Sequence, residues 1–368
     1  MSLKTRIAAK EWLYMIFAWL FAFYLYYFIV FWGQREYLHD NKITQYIFSG
    51  KVHLEFISSS VFFGILFGLI NTLTENSIFK RQPLWIIILS KSFLYILGFI
   101  VAGVLVVSTY LVFNIMAFEE MIQMSSSIPI KTGIAMGVYI IIVIFIINIF
   151  IQFNKKFGPG EMRKILLGKY HKPKEEERVF MFLDLKGSTT LAEKLGSSKY
   201  STFIRQCFND LSDIILNHQA TLYQHIGDEV VITWNQKTAF KRQNAINLFF
   251  DFKEILKKKD EYYQKRYGFS PVFKAGMHIG HVTVSETGDL KKEIAYHGDA
   301  VNTAARLESQ CNSLNELLLV SESFTERADI KSKFIVDFKG DIMLSGKSQP
   351  IKVYSINEFR FEKAKNNL

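Results

Sequence analysis

The sequence predicts a two-part protein: an α+β domain built on a ferredoxin-like sheet, preceded by a transmembrane domain of four helices. Three observations predict it. The 368 residues are enough for two domains. The first 153 carry four apolar stretches long enough to cross a bilayer. The remainder alternates short strand-like runs with helical periods in the opening order β-α-β-β-α-β.

The spans come first. A membrane helix needs about 20 apolar residues, and residues 12–32, 55–73, 84–113 and 133–153 supply them. The first carries no charge, and its apolar run is too long, with no small-residue cleavage site after it, to read as a signal peptide. Lys and Arg in short flanks set orientation. The N-terminus, the loop with Lys80 and Arg81, and the segment after Phe153 are basic, whereas the 114–132 loop has Glu119 and Glu120 against Lys131. The first loop, with Arg35, Lys42 and Lys51, runs against the trend. The balance puts both termini on the inner side of the membrane, whose lipid the spans contact. The globular half then faces the cytoplasm. Lys91 is the one charge in the third span. It lies near the inner end of a span longer than necessary, so its ammonium is expected to snorkel to the interface. No His sits centrally in a span, which leaves no haem ligand pair.

Hydrophobic residues make up 49% of the chain, and Phe, with 34 copies, is densest before residue 154. The net charge of +10 would suit a nucleic-acid binder. Much of it flanks the spans, at Lys4, Arg6, Lys10, Lys155 and Lys156, so no nucleic-acid partner is expected. Cys207 and Cys311 have no second Cys or His at metal spacing, and both are expected to be reduced thiols.

Domain boundaries follow: a membrane domain over 1–153, a connector over 154–177 and a globular domain over 178–360. In the connector, Gly158-Pro159-Gly160 stops the last helix. Residues 161–169 read as a short amphipathic helix with Met162, Ile165 and Leu166 on one side. Residues 172–178 read as a charged linker.

In the globular domain, strands are expected at 179–184, 221–226, 229–234, 272–285, 317–321, 334–344 and 350–356. Helices are expected within 190–217, over 237–259 and over 299–312. In a ferredoxin-like sheet with helices on one face, the first and third strands are antiparallel neighbours. Asp184, ending the first, then meets Asp228 in the turn before the third. Two converging carboxylates suit a divalent cation such as Mg²⁺, which completes its shell with substrate phosphates. After Asp184 the turn Leu185-Lys186-Gly187-Ser188-Thr189 enters a helix, offering backbone N–H groups to phosphate oxygens. The same turn also reads as an ordinary helix cap, and Gly227-Asp228 as a plain hairpin turn. Farther on, Asn302 and Arg306 stand four apart on one helix face. An amide beside a fixed cation suits a ribose and a phosphate charge developing in a transition state. An ordinary surface helix fits the same two residues.

In order, FLDLKGST, HIGDEVV and GDAVNTAARLES resemble the signature blocks of class III adenylate and guanylate cyclases over roughly 178–357. The four spans and the Gly-Pro-Gly connector are similar to bacterial membrane-anchored, rhizobial-like adenylate cyclases. The resemblance implies that Asp184 and Asp228, with the carbonyl of Leu185, hold two Mg²⁺ or Mn²⁺ ions. It implies that Asn302 positions the ribose and Arg306 stabilises the transition state. It also implies a homodimer through the catalytic domain, each site taking its metals from one subunit and its Asn–Arg pair from the other, with ATP or GTP as substrate.

Three positions depart from the pattern. The purine-reading Lys and Asp of adenylate cyclases align with Gln224 and Ala295, and guanylate cyclases carry Glu and Cys there. The triphosphate Lys aligns with Ser345, with Lys347 two residues on. The reading is therefore an adenylate cyclase, with a guanylate cyclase or a degenerate nucleotide-binding and dimerisation module as alternatives. A diguanylate cyclase is disfavoured because His225-Ile226-Gly227-Asp228-Glu229 lacks that family's doubled glycine and Phe.

Overall fold

The computed structural model describes residues 3–32, 35, 42–75, 82–112, 119, 122, 126, 129–157, 167–288, 292–328 and 334–358. It divides into two compact units, Met1–Met162 and Arg163–Leu368. Lys80, Arg81, Glu120, the Gly158-Pro159-Gly160 stop and most of the expected 161–169 helix lie outside the described residues.

The first unit contains α1 (Leu3–Tyr26, continuing as a π-helical turn through Trp32), the short α2 (Lys42–Ile47), α3 (Gly50–Glu75), α4 (Leu84–Val112) and α5 (Ile130–Phe157). Four segments are long and apolar enough to cross a membrane: Ala8–Trp32, Gly50–Thr74, Leu84–Leu105 and Ile130–Asn154. Their interior is aromatic, with Trp19, Phe63, Phe67 and Tyr95 buried beside Met15 and Ile144. Helices α1 and α3 touch closely because Gly64 and Gly68 have no side chain. A Cβ would lie 2.3 Å from Ile16 at the first and 2.5 Å from Trp12 at the second. That is the small-xxx-small packing of apolar helices.

Lys91 does not snorkel. It is 3% exposed, and its ammonium donates to Asn71 Oδ1 at 2.8 Å. Asn71 Nδ2 in turn donates to Glu11 Oε2 at 2.9 Å. Next to Lys91, Ser92 accepts from Asn148 Nδ2 at 2.9 Å, and Gln152 donates to Asn148 Oδ1. A polar layer therefore crosses α1, α3, α4 and α5 near one end of the bundle. An internal acceptor is worth more to an ammonium in this setting than a long reach to water.

The second unit holds an eight-stranded sheet in the order β2-β3-β1-β4-β6-β8-β7, with β5 paired to β4. The strands are β1 (Lys174–Leu185), β2 (Thr221–Ile226), β3 (Glu229–Asn235), β4 (Phe273–Thr287), β5 (Glu293–His297), β6 (Leu318–Ser321), β7 (Phe334–Ile342) and β8 (Ile351–Glu358). The helices are α6 (Ser188–Leu195), α7 (Ser197–Asn217), α8 (Gln236–Phe240), α9 (Asn244–Lys258), α10 (Asp260–Tyr267), α11 (Asp299–Gln310) and α12 (Glu322–Arg327).

Alternation along β1 builds both faces. Val179, Met181, Leu183 and Leu185 join one core with Phe203 and Leu211 of α7 and Phe249 and Phe252 of α9. Phe180 and Phe182 join another, with Ala300 and Ala304 of α11. Helices thus cover both faces, where the sequence reading had them on one. The opening helices pack on the first face and α11 on the second. Its approach depends on Gly276 of β4, where a Cβ would lie 2.1 Å from the backbone nitrogen of Glu308.

Three further expectations are corrected. The charged stretch taken as linker is strand from Lys174 onward, pairing with β4 from Lys174↔Val284 to Leu185↔Phe273. Within it Arg178 is buried, because Thr233 and Glu176 take its donors and the Tyr296 ring lies under it at 4.8 Å. The helix expected over 237–259 breaks at Arg242 and Gln243, both in the left-handed region with φ of 56° and 57°. β5 went unrecognised because its five residues form a strand only by pairing with β4.

Candidate active site

Strand β1 runs antiparallel to β3, with Leu183 opposite Val230. The end of β1 therefore lies beside the Gly227-Asp228 turn, as topology requires. Gly227 supplies the left-handed residue of that turn (φ 65°). Asp184 and Asp228 sit close enough for each other's charge to matter. Burial, and then Asp228, raise the Asp184 carboxyl above its ordinary range, and Lys274 opposes them. Asp228 Oδ2 is buried and has no hydrogen-bond partner.

The following turn is open. Lys186 donates its backbone N–H to the Val272 carbonyl at 2.8 Å. Gly187 takes the left-handed conformation (φ 73°) immediately before α6, with nothing within 4 Å of where a Cβ would stand. Lys186, Gly187 and Thr189 are exposed, and Ser188 is half-buried. Leu185 is buried as the last residue of β1.

Four residues here were not singled out from sequence. Lys274 is the cross-strand partner of Asp184. Its Nζ lies 3.3 Å from Asp184 Oδ2 and 2.6 Å from Glu308 Oε1. Glu229, beside Asp228, is pushed up to about 7 by burial first, then by Glu308, Asp184 and Asp228. The Tyr200 hydroxyl is pushed up to about 12, by burial and by the two aspartates. One signal was available for Lys274, a lone charge heading the apolar run FKAGMHIG.

The remaining expected residues form a second set. Asn302 is exposed on α11, and Arg306 is half-buried on the same helix. Gly346, in the β7–β8 loop, faces Arg306: a Cβ there would lie 3.1 Å from Nη2. Lys347 is ion-paired with Asp299 at the start of α11, and Ser345 is exposed beside it. Gln224 is exposed on the edge strand β2, and Ala295 is half-buried in β5. Those two strands approach through Tyr223 and Tyr296, whose rings stand edge to face at 4.8 Å.

Among the described residues no three His, Cys, Asp or Glu side chains are placed to hold a metal together. A two-carboxylate site fits a hard cation that takes its other ligands from phosphate and water. The orphaned oxygen of Asp228 and the raised carboxyl of Asp184 are what such a cation would satisfy.

The family model for the adenylate and guanylate cyclase catalytic domain matches residues 170–358. The chain belongs to this family. The cyclase is 33% identical over 214 residues to adenylate cyclase 2 of Rhizobium meliloti, which covers 58% of each chain. It is 26% identical over 189 residues to adenylate cyclase 1 of the same organism, covering 49% of this chain and 27% of that one. The chain thus spans 58% and 27% of the length of these two relatives. Among solved structures, a bacterial light-regulated adenylyl cyclase matches at 22% identity with a TM-score of 0.50, covering 60% of this chain and 65% of that one. That likeness bears on the cyclase fold.

Proposed function

We propose that the protein is a membrane-bound adenylate cyclase that converts ATP to 3′,5′-cyclic AMP and pyrophosphate on the cytoplasmic side. The observation that carries this reading is the meeting of Asp184 with Asp228, one of whose carboxylate oxygens is buried and unpartnered. Asp184, Asp228 and the Leu185 carbonyl are the groups that would hold two Mg²⁺ or Mn²⁺ ions, whose chemistry is to acidify a ribose 3′-hydroxyl and neutralise phosphate charge. The open turn from Lys186 to Thr189 borders the triphosphate. The 3′-oxygen attacks the α-phosphorus in line, and pyrophosphate leaves. Arg306 meets the charge that develops there, and Asn302 orients the ribose.

The chain carries one complete set of these residues, and by its likeness to the cyclase family we infer a homodimer with two composite sites. Lys347 is held by Asp299 and must leave it to reach a phosphate. ATP is favoured because the Rhizobium relatives bear the name adenylate cyclase. GTP is the second reading: Gln224, exposed on β2, both donates and accepts hydrogen bonds and is able to read either purine. Asp184, Asp228, Asn302 and Arg306 are all present, which disfavours a degenerate module. The four candidate spans are the membrane anchor, and the basic flanks favour an inner-membrane protein with both termini inside.

The test is cyclic nucleotide output from the purified full chain with Mn²⁺ and either ATP or GTP. Cyclic AMP from the wild type and at least a hundredfold less from Asp184→Ala is the expected result, on the order of what losing a metal ligand costs. Undiminished output from Asp184→Ala would end this reading. Gln224→Glu is expected to move the ATP-to-GTP preference, and an unmoved ratio would remove Gln224 from purine recognition.

A further inference from the structure

Within one chain, the aspartate pair and the Asn302–Arg306 helix are joined by a short chain of charges. Lys274 stands between Asp184 and Glu308, 3.3 Å from the first and 2.6 Å from the second. The side chains of Lys274 and Glu308 are 7% and 8% exposed, so water does not compete for either. The contact between Glu308 and the ammonium is at hydrogen-bond distance, and Glu308 also lies close enough to Asp184 for the two carboxyls to interact directly. Its position is fixed by the backbone: α11 presses on β4 at Gly276, at the level of Glu308 itself. Glu308 is two residues beyond Arg306 on that helix.

A buried ammonium between two carboxylates divides its pull between them, and here Glu308 is the nearer. We propose that Glu308 is a positioning residue for the cation site: by holding Lys274, it keeps Asp184 available to a metal ion. It also makes that availability depend on the seating of the helix that carries Asn302 and Arg306. The inference rests on the reading of Asp184 and Asp228 as cation ligands. Without the Glu308 charge, Lys274 is left with Asp184 at 3.3 Å and Glu229 beyond it, and an arriving cation must displace it from Asp184. Without Lys274, the carboxylates Asp184, Asp228 and Glu229 meet the cation with no ammonium opposing it.

The experiment titrates Mn²⁺ alone into the full chain in lipid nanodiscs and follows free Mn²⁺ by electron paramagnetic resonance. Glu308→Gln is expected to weaken Mn²⁺ binding about tenfold, the scale of one redirected ion pair. Lys274→Met is expected to tighten it. The double variant is expected to bind Mn²⁺ within about threefold of Lys274→Met, since Glu308 then has no ammonium to hold. A purely structural role for Glu308 gives the opposite pattern, with the double variant at least as weak as Glu308→Gln. That pattern overturns the proposal, as does wild-type affinity in Glu308→Gln. Should Glu308→Gln fail to fold, the double variant decides: binding within about threefold of Lys274→Met supports the proposal, and binding about tenfold weaker than Lys274→Met or worse ends it. Asp184→Asn separates the two levels. If it binds Mn²⁺ as the wild type does, the cation site itself is misassigned, whereas loss in Asp184→Asn with wild-type binding in Glu308→Gln defeats only the link.

Discussion

Gly276 shows how much one missing side chain governs this domain. A methyl group there would collide with the backbone nitrogen of Glu308 at 2.1 Å and with the carbonyl oxygen of Ala304 at 2.4 Å. Backbone atoms within a packed helix have nowhere to go. Gly276→Ala is therefore expected to lower stability by about 2–3 kcal/mol, the scale of overpacking, read as a fall in melting temperature. An unchanged melting temperature would mean that α11 shifts freely on the sheet. At this scale the sequence was legible by blocks and not by single residues. Asp184, Asp228, Asn302 and Arg306 each have an ordinary structural reading alone, and their order in three blocks made them stand out. Lys274 and Glu308 did not stand out, because what gives them meaning is strand register and helix seating, which join positions far apart in the chain.

Among the elements, the long apolar helices and the buried strands were readable because composition alone specifies them. Those that escaped depend on partners. β5 exists through β4, and the charged start of β1 is strand because β4 extends to pair with it. The break at Arg242 and Gln243 left no Gly or Pro to mark it. Lys91 was misjudged for a related reason: its partners sit on other helices. The hydrogen bonds from Lys91 to Asn71 and from Asn71 to Glu11 tie α4, α3 and α1 together. Asn71→Leu removes the middle member and is expected to cost the bundle about 1–2 kcal/mol, the scale of interhelical hydrogen bonds in membranes. Thermal unfolding in detergent measures it, and a variant as stable as wild type would show that the polar layer holds nothing together.

For the molecule as a whole, the catalytic unit carries a built-in sensitivity to acid. His278 on β4 lies close to Ser321 Oγ, with its Nδ1 at 2.7 Å. Burial, and then the charge of Lys347, hold its pKa down from 6.5 to about 4, while Asp299 pulls the other way and Arg327 adds to the lowering. As pH falls from 6.5 toward 4, the unfolded chain takes up a proton at this site and the folded one does not, so stability is lost across that window. The loss attributable to His278 is at most about 3 kcal/mol. His278→Gln should flatten the decline between pH 7 and pH 5 in melting experiments. An acid limb equally steep in the variant would assign the loss to other groups.

The twelve residues of β1 span roughly 36 Å at strand spacing. The strand ends at Asp184 and Leu185, and it begins at the β4–β5 hairpin, where the Tyr170 carbonyl accepts from the backbone N–H of Glu286 at 2.9 Å. The strand is bonded to β4 along its whole length and to β3 from Arg178 to Leu183. A displacement at Lys174 therefore arrives at Asp184 only if the neighbouring strands move with it.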